Sequence, residues 1–196
     1  ATPVSVNKMQ RMAAATRAGG MNDPLLGMQW NLINDGTMFT TGDKVKSVAG
    51  ADVQVEGAWK RSTGDESVVV AVLDEGVFVE HPDLKNSLWI NEDEINRSHG
   101  DNDNNGYKGD YYGYNFARNQ GLITWDDIYD SGHGSHVAGV IAAQNNNGIG
   151  ISSIAGGDGD KSGVKIMVCQ IFSGVQGSSS IAVLRAIKYA ADNGAV

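Results

Sequence analysis

One cysteine in 196 residues excludes an intramolecular disulfide. No apolar run reaches the 18 or so residues that a bilayer-spanning helix needs. Basic residues are in deficit, 15 Lys and Arg against 23 Asp and Glu, a net charge of −8. That balance argues against nucleic acid or an anionic membrane surface as a partner. The opening Ala1-Thr-Pro-Val-Ser-Val-Asn lacks the charged start and apolar centre of a secretory signal. His-Glu-x-x-His is missing, and His133 with His136 has the wrong spacing for that pair, which argues against a zinc hydrolase. His136 is expected to pack or to support a neighbour by hydrogen bonding. Gly-x-Ser-x-Gly is missing too, and Ser131, Ser135 and Ser178 to Ser180 read as turn and cap residues. What remains is a chain of one-domain length, able to bury roughly 70% of its unfolded surface.

Residues 130–144, Asp-Ser-Gly-His-Gly-Ser-His-Val-Ala-Gly-Val-Ile-Ala-Ala-Gln, are the most organised stretch. Glycines bracket His133, and a small-residue, apolar run follows with the length of a buried helix. A histidine at a helix start is ordinarily a cap or a packed residue. Upstream, Val68-Val-Val-Ala-Val-Leu-Asp74-Glu-Gly reads as a strand buried on both faces of a parallel sheet. Asp74 lies at its carboxyl end, where open α/β sheets place their chemistry. An Asp followed by a His supplies two of the three groups of a hydrolytic triad.

These stretches resemble the subtilisin-like (subtilase) serine peptidases, whose chain order is Asp, His, Ser. Val70-Ala-Val-Leu-Asp74-Glu-Gly-Val77 matches the family's Asp motif, and His81-Pro-Asp-Leu84 follows at the usual distance. Gly132-His-Gly-Ser-His-Val-Ala-Gly139 matches its His motif. Glu75 and Ser135 stand where the family usually has Thr, and neither change removes a triad atom. The similarity runs from about Asn22 to Val196 and implies Asp74 and His133 as the catalytic pair. It also implies secretion or a cell-surface location.

Residues 5–18 are rich in helix formers, with Ser5 as an N-cap candidate and Gly19-Gly20 as a stop. They lie outside the resemblance, so residues 1–20 are expected to be a propeptide remnant or linker helix, or else an inert tail. The resemblance implies that residues 21–196 are the N-terminal part of a subtilase catalytic domain. A short helix is expected over 53–60 and a turn at 62–65. Residues 163–172 alternate Val164, Ile166 and Val168 against Met167, Cys169 and Ile171, which predicts a central strand. Cys169 within it reads as a packing residue. Ser178 to Ser180 cap a last helix whose expected inward face is Ile181, Leu184, Ile187 and Ala191, closed by Gly194. Alternating strands and helices predict an α/β fold with a doubly wound, mostly parallel sheet, incomplete at its C-terminal end.

Two loops suggest metal. Asp101-Asn-Asp103-Asn-Asn105-Gly106-Tyr107-Lys-Gly-Asp110 sets side-chain oxygens at alternate positions before a glycine, as a calcium loop does. Tyr112 in the twelfth position rules out an EF-hand, and a solvated Asp/Asn turn is the plain alternative. Subtilases with such an insertion end it with acidic residues, of which Asp110 remains here while Gly109 departs from the pattern. The loop 144–151, Gln-Asn-Asn-Asn-Gly-Ile-Gly-Ile, is ordinarily a helix stop. The family resemblance implies a calcium held there by the carbonyls of Gln144, Ile149 and Ile151, the side chain of Asn147, and the carboxylates of Asp83 and Asp23.

The resemblance implies serine endopeptidase cleavage of polypeptide substrates, with extended substrate bound around 174–178 as subtilases bind it. The family's Gly-Thr-Ser-Met-Ala is missing, so the nucleophile is expected beyond Val196, in the remaining C-terminal part of the same domain, and residues 1–196 alone are expected to be inactive. A catalytically silent, calcium-stabilised binding module is the alternative.

Overall fold

The computed structural model describes residues 20–37, 47–95, 100–175 and 177–196. The expected helix over 5–18 lies outside them. Six elements of regular structure carry the fold: α1 (Val55–Trp59), β1 (Val69–Asp74), β2 (Gly113–Asn115), α2 (His133–Ala142), β3 (Lys165–Gln170) and α3 (Ser180–Asp192). Short 3-10 turns at Leu26–Met28, Lys85–Ser87 and Glu92–Glu94 punctuate the connections.

The three strands are parallel, in the order β1-β3-β2. Val69 pairs with Lys165 and Asp74 with Gln170, while Asn115 also meets Gln170 from the other side. All three strands therefore end at one level, and Asp74 stands on that rim. Leu88 bridges to Ile166, and Trp89 N–H donates to the Ile166 carbonyl at 2.8 Å.

Because side chains alternate along a strand, β3 feeds two cores at once. Ile166 and Val168 pack with Val72, Ala138 and Ala142, which sets α2 on one face. Met167 and Cys169 pack with Ala182, Ala186, Tyr189 and Ala190, which sets α3 on the opposite face. Each fully buried aliphatic side chain contributes about 1.5–3 kcal/mol, more than the roughly 1 kcal/mol net of a hydrogen bond, so packing rather than the ladder decides the layering. Helices on both faces of a parallel sheet make this the doubly wound α/β arrangement the alternation predicted. Burial pushes the Cys169 thiol up to about 12. It packs as expected.

Two expectations are corrected. The strand expected to be buried on both faces is only half-buried at most positions, with Val72 alone fully inside. Among the described residues β1 pairs with one strand, β3, and its other edge meets only Ala195 and Val196, at Val69. The second correction concerns α3, whose Ile181, Leu184 and Ile187 are 70%, 66% and 52% exposed. Ala191 is exposed as well. The buried face is Ala182, Ala186, Tyr189 and Ala190. Alanines let the helix sit close to the sheet, and the Tyr189 hydroxyl finds a partner there, donating to Asp110 Oδ2 at 2.7 Å. Ser179 caps this helix by accepting from Ala182 N–H at 3.1 Å.

The N-terminal arm forms a third core of Met21, Leu26, Leu32, Val55 and Trp59. It is fixed to the body by Trp59 Nε1–H donating to the Ile154 carbonyl at 3.2 Å and by a two-way clasp between Gln29 and the Ser152 backbone. No helix of the described residues is long and apolar enough to cross a membrane.

Candidate active site

β1 delivers Asp74 to the rim, and α2 delivers His133 as its first residue. His133 Nδ1 lies 2.8 Å from both Asp74 oxygens across 59 positions of sequence. A carboxylate can only accept, so Nδ1 carries the proton and Nε2 is left as the basic nitrogen. Asp74 is itself held in place, since its Oδ1 accepts the Glu75 N–H at 2.7 Å. The carboxylate is largely covered, at 16% exposure, while the imidazole is open at 61%. The hydrogen bond to Asp74 raises the His133 pKa above its ordinary value, its negative charge adds to this, and Glu75 adds a smaller push.

The approach of helix to strand depends on Gly134. A Cβ there would collide with the carbonyls of Glu75 and Gly76. Ser135 faces back to the strand, its Oγ accepting the Phe78 N–H at 2.9 Å, and Phe78 stacks on Trp125 with centroids 4.5 Å apart. Loop 124–130 is moored to the end of β3: Gln170 and Thr124 exchange two hydrogen bonds, Ser173 donates to Asp127 at 2.8 Å, and Gly174 N–H donates to Asp130 at 2.8 Å. His136 is exposed, so the packed or supporting role expected of it is corrected. It lies in the turn after His133 and joins no cluster of ligating groups among the described residues. No serine hydroxyl among the described residues hydrogen-bonds the His133 ring.

A profile of the subtilase family matches residues 65–196. The chain belongs to the subtilase family. This subtilase chain is 31% identical over 153 residues to Subtilisin-like protease 1 of Plasmodium berghei, covering 76% of this chain and 22% of that protein. Halolysin of Haloferax mediterranei is 31% identical over 143 residues, 73% of this chain and 22% of that one. The chain thus spans about a fifth of the length of these relatives. A crystal structure of an Aeromonas sobria serine protease with a chaperone superposes on 85% of this chain and 23% of that one, with a TM-score of 0.60 at 24% identity. That match concerns the fold alone, and it agrees with the parallel sheet described above.

In this subtilase chain the first expected metal loop closes on two buried carboxylates. Asp23 accepts from Asn146 N–H at 2.9 Å, Asn147 N–H at 3.2 Å and Ser152 Oγ at 2.6 Å. Asp83 accepts from Asn147 Nδ2 at 2.8 Å and Ile151 N–H at 3.0 Å. Gln144 and Ile149 lie on the same loop, Gln144 N–H donating to the Asp83 carbonyl and Ile149 N–H to Asn147 Oδ1, both at 2.9 Å. A Cβ at Gly150 would fill the space of the Asp83 carboxylate, so the loop is shaped around that group. Burial raises the Asp83 pKa, Ile151 N–H and Asn147 oppose this, and the charge of Asp23 adds to it. Asp23 and Asp83 are buried anionic oxygen donors of the kind a hard cation takes, held in this structure by N–H and O–H donors.

The insertion loop is arranged differently from the sequence pattern. Carboxylate oxygens of Glu94, Asp101 and Asp103 lie within 4.8 Å of one another. Glu94 went unnoticed in the sequence, because an acidic residue in Glu92-Asp93-Glu94 carries no spacing signal. Asp101 Oδ1 is buried without a hydrogen-bond partner. Asn105 donates to both Asp103 and Asp110, at 2.8 and 2.9 Å. Asp110, fully buried, stands behind this cluster and takes the Tyr189 hydroxyl, while Tyr107 turns its ring into the aromatic core with Tyr114 and Tyr189. Three clustered carboxylates and an orphaned buried oxygen also suit a hard, oxygen-seeking ion.

Proposed function

We propose that this chain supplies the Asp and His of a serine-type endopeptidase that hydrolyses polypeptides, with the nucleophilic Ser beyond Val196 in the remaining part of the same domain. The observation that carries this reading is the 2.8 Å contact between Asp74 and His133 Nδ1, made across 59 positions. Asp74 fixes the tautomer and stabilises the imidazolium that forms when Nε2 takes the serine proton. The serine oxygen attacks the scissile carbonyl, and His133 then returns its proton to the leaving amine. Water enters by the same route in reverse, releasing the acyl group. Residues 174–178, beyond the moored end of β3, are the proposed binding edge for extended substrate.

Asp23, Asp83 and Asn147, with the Gln144, Ile149 and Ile151 carbonyls, would hold one calcium. Asp101, Asp103 and Asn105, now with Glu94, would hold a second, supported by Tyr107 and Asp110. Bound calcium would supply charge neutralisation for buried carboxylates, hence stability rather than chemistry. Secretion or cell-surface display belongs to the same proposal and rests on the family resemblance.

The test is to express the full-length polypeptide and residues 1–196 separately and assay both on an unfolded protein. Cleavage by the long form, abolished by a serine-directed inhibitor, is expected, with none from the short form. Inhibitor-sensitive cleavage by residues 1–196 would show that the nucleophile lies within them. A folded, processed and silent long form would establish the calcium-stabilised binding module instead.

A further inference from the structure

We infer that Glu75 is a positioning residue for His133: from the turn after β1 its carboxylate holds the first turn of α2 by the backbone and so fixes where the imidazole stands. This deepens the peptidase reading above and rests on it. Helix α2 has no cap of its own, since its N-cap Gly132 sits at φ +75 with no side-chain hydrogen bond. Glu75, 58 positions away, supplies one. Its Oε2 accepts the His133 N–H at 3.0 Å, the Ser131 N–H at 3.0 Å and the Ser131 hydroxyl at 3.2 Å. A carboxylate at a helix N-terminus also complements the positive end of the helix dipole.

The arrangement grips one residue twice. Asp74 takes the ring of His133, and the next residue takes its backbone. The Glu75 N–H also orients the Asp74 carboxylate, so strand end, helix start and hydrogen-bonded pair share one anchor. Movement elsewhere in α2 is thereby kept from lengthening the Nδ1–carboxylate contact. Glu75 acts through charge as well. Asp127 pairs with Arg118 at 3.0 Å, Asp130 accepts the Gly174 N–H through Oδ1 while its Oδ2 is buried without a partner, and His136 is exposed in the following turn. Asp74 and, to a smaller extent, Glu75 are the carboxylates whose charge favours the imidazolium.

The experiment uses the full-length polypeptide with Glu75→Ala and Glu75→Gln, read by steady-state kinetics and by NMR titration of the His133 imidazole. Glu75→Ala should lower kcat about tenfold with KM changed by less than about twofold, because geometry and not substrate binding is lost. Glu75→Gln keeps an acceptor oxygen and should recover most of kcat. Both variants remove the charge, so in both the His133 titration and the acidic limb of the pH profile should move to lower pH. Wild-type kcat and an unmoved titration in Glu75→Ala would overturn the inference. Should Glu75→Ala fail to fold, the near-isosteric Glu75→Gln decides by its titration alone. A wild type without peptidase activity would refute the proposed function, while the titration would still read the Glu75 contact.

Discussion

A hydrogen bond that raises a histidine pKa has opposite consequences for activity and stability, and His133 should show both. As a general base it must be neutral, so the acidic limb of kcat/KM should lie above the ordinary histidine value of 6.5. For stability, a folded pKa above the unfolded one means the paired imidazolium stabilises fully below the unfolded value. That stabilisation is lost as pH rises through the folded pKa. Tm measured across this window should fall with rising pH, and His133→Ala should flatten the fall. Asp74→Asn disturbs the tautomer without removing bulk and should lower kcat by about 10⁴-fold, read by steady-state kinetics. The pair was legible in the sequence because each residue sits in a motif with its own glycines and apolar run. Glu75 was visible only as a departure from Thr, since a carboxylate binding a distant backbone amide leaves no periodic trace.

Elements were legible in proportion to their period. The alternation in β3 announced a strand between two cores, and the small apolar run after His133 announced α2. β2 has only three residues, too few for any period. α3 carries two stripes, one of large aliphatics and one of alanines with Tyr189, and hydrophobicity alone selected the wrong one. Close approach to Met167 and Cys169, together with the Tyr189 to Asp110 hydrogen bond, favours the small face. Ala186→Leu should therefore overpack this interface and cost about 1–3 kcal/mol in denaturant unfolding. Ser179→Ala, which removes the cap, should cost about 1 kcal/mol by the same measurement.

At the scale of the whole molecule, two oxygen-rich loops clamp segments distant in sequence. If calcium binds only the folded chain, at a hundred times its dissociation constant it should add about 2.7 kcal/mol, and a chelator should lower Tm accordingly. Asp83→Asn and Asp101→Asn should each remove part of that response, and a Tm indifferent to calcium in the parent would refute both sites. The edge of β1 that carries no partner strand among the described residues has a further consequence, one of direction. Ala195 bridges to Val69 in parallel, and Val196 N–H donates to the Val69 carbonyl at 3.1 Å. Any strand prolonging that bridge in register must run alongside Val70, Ala71, Val72 and Leu73 toward Asp74. With about 3.3 Å per residue it climbs some 16 Å and surfaces beside the acid of the pair. Whatever side chains it carries there are delivered to the floor of the site by the heading of β1 itself.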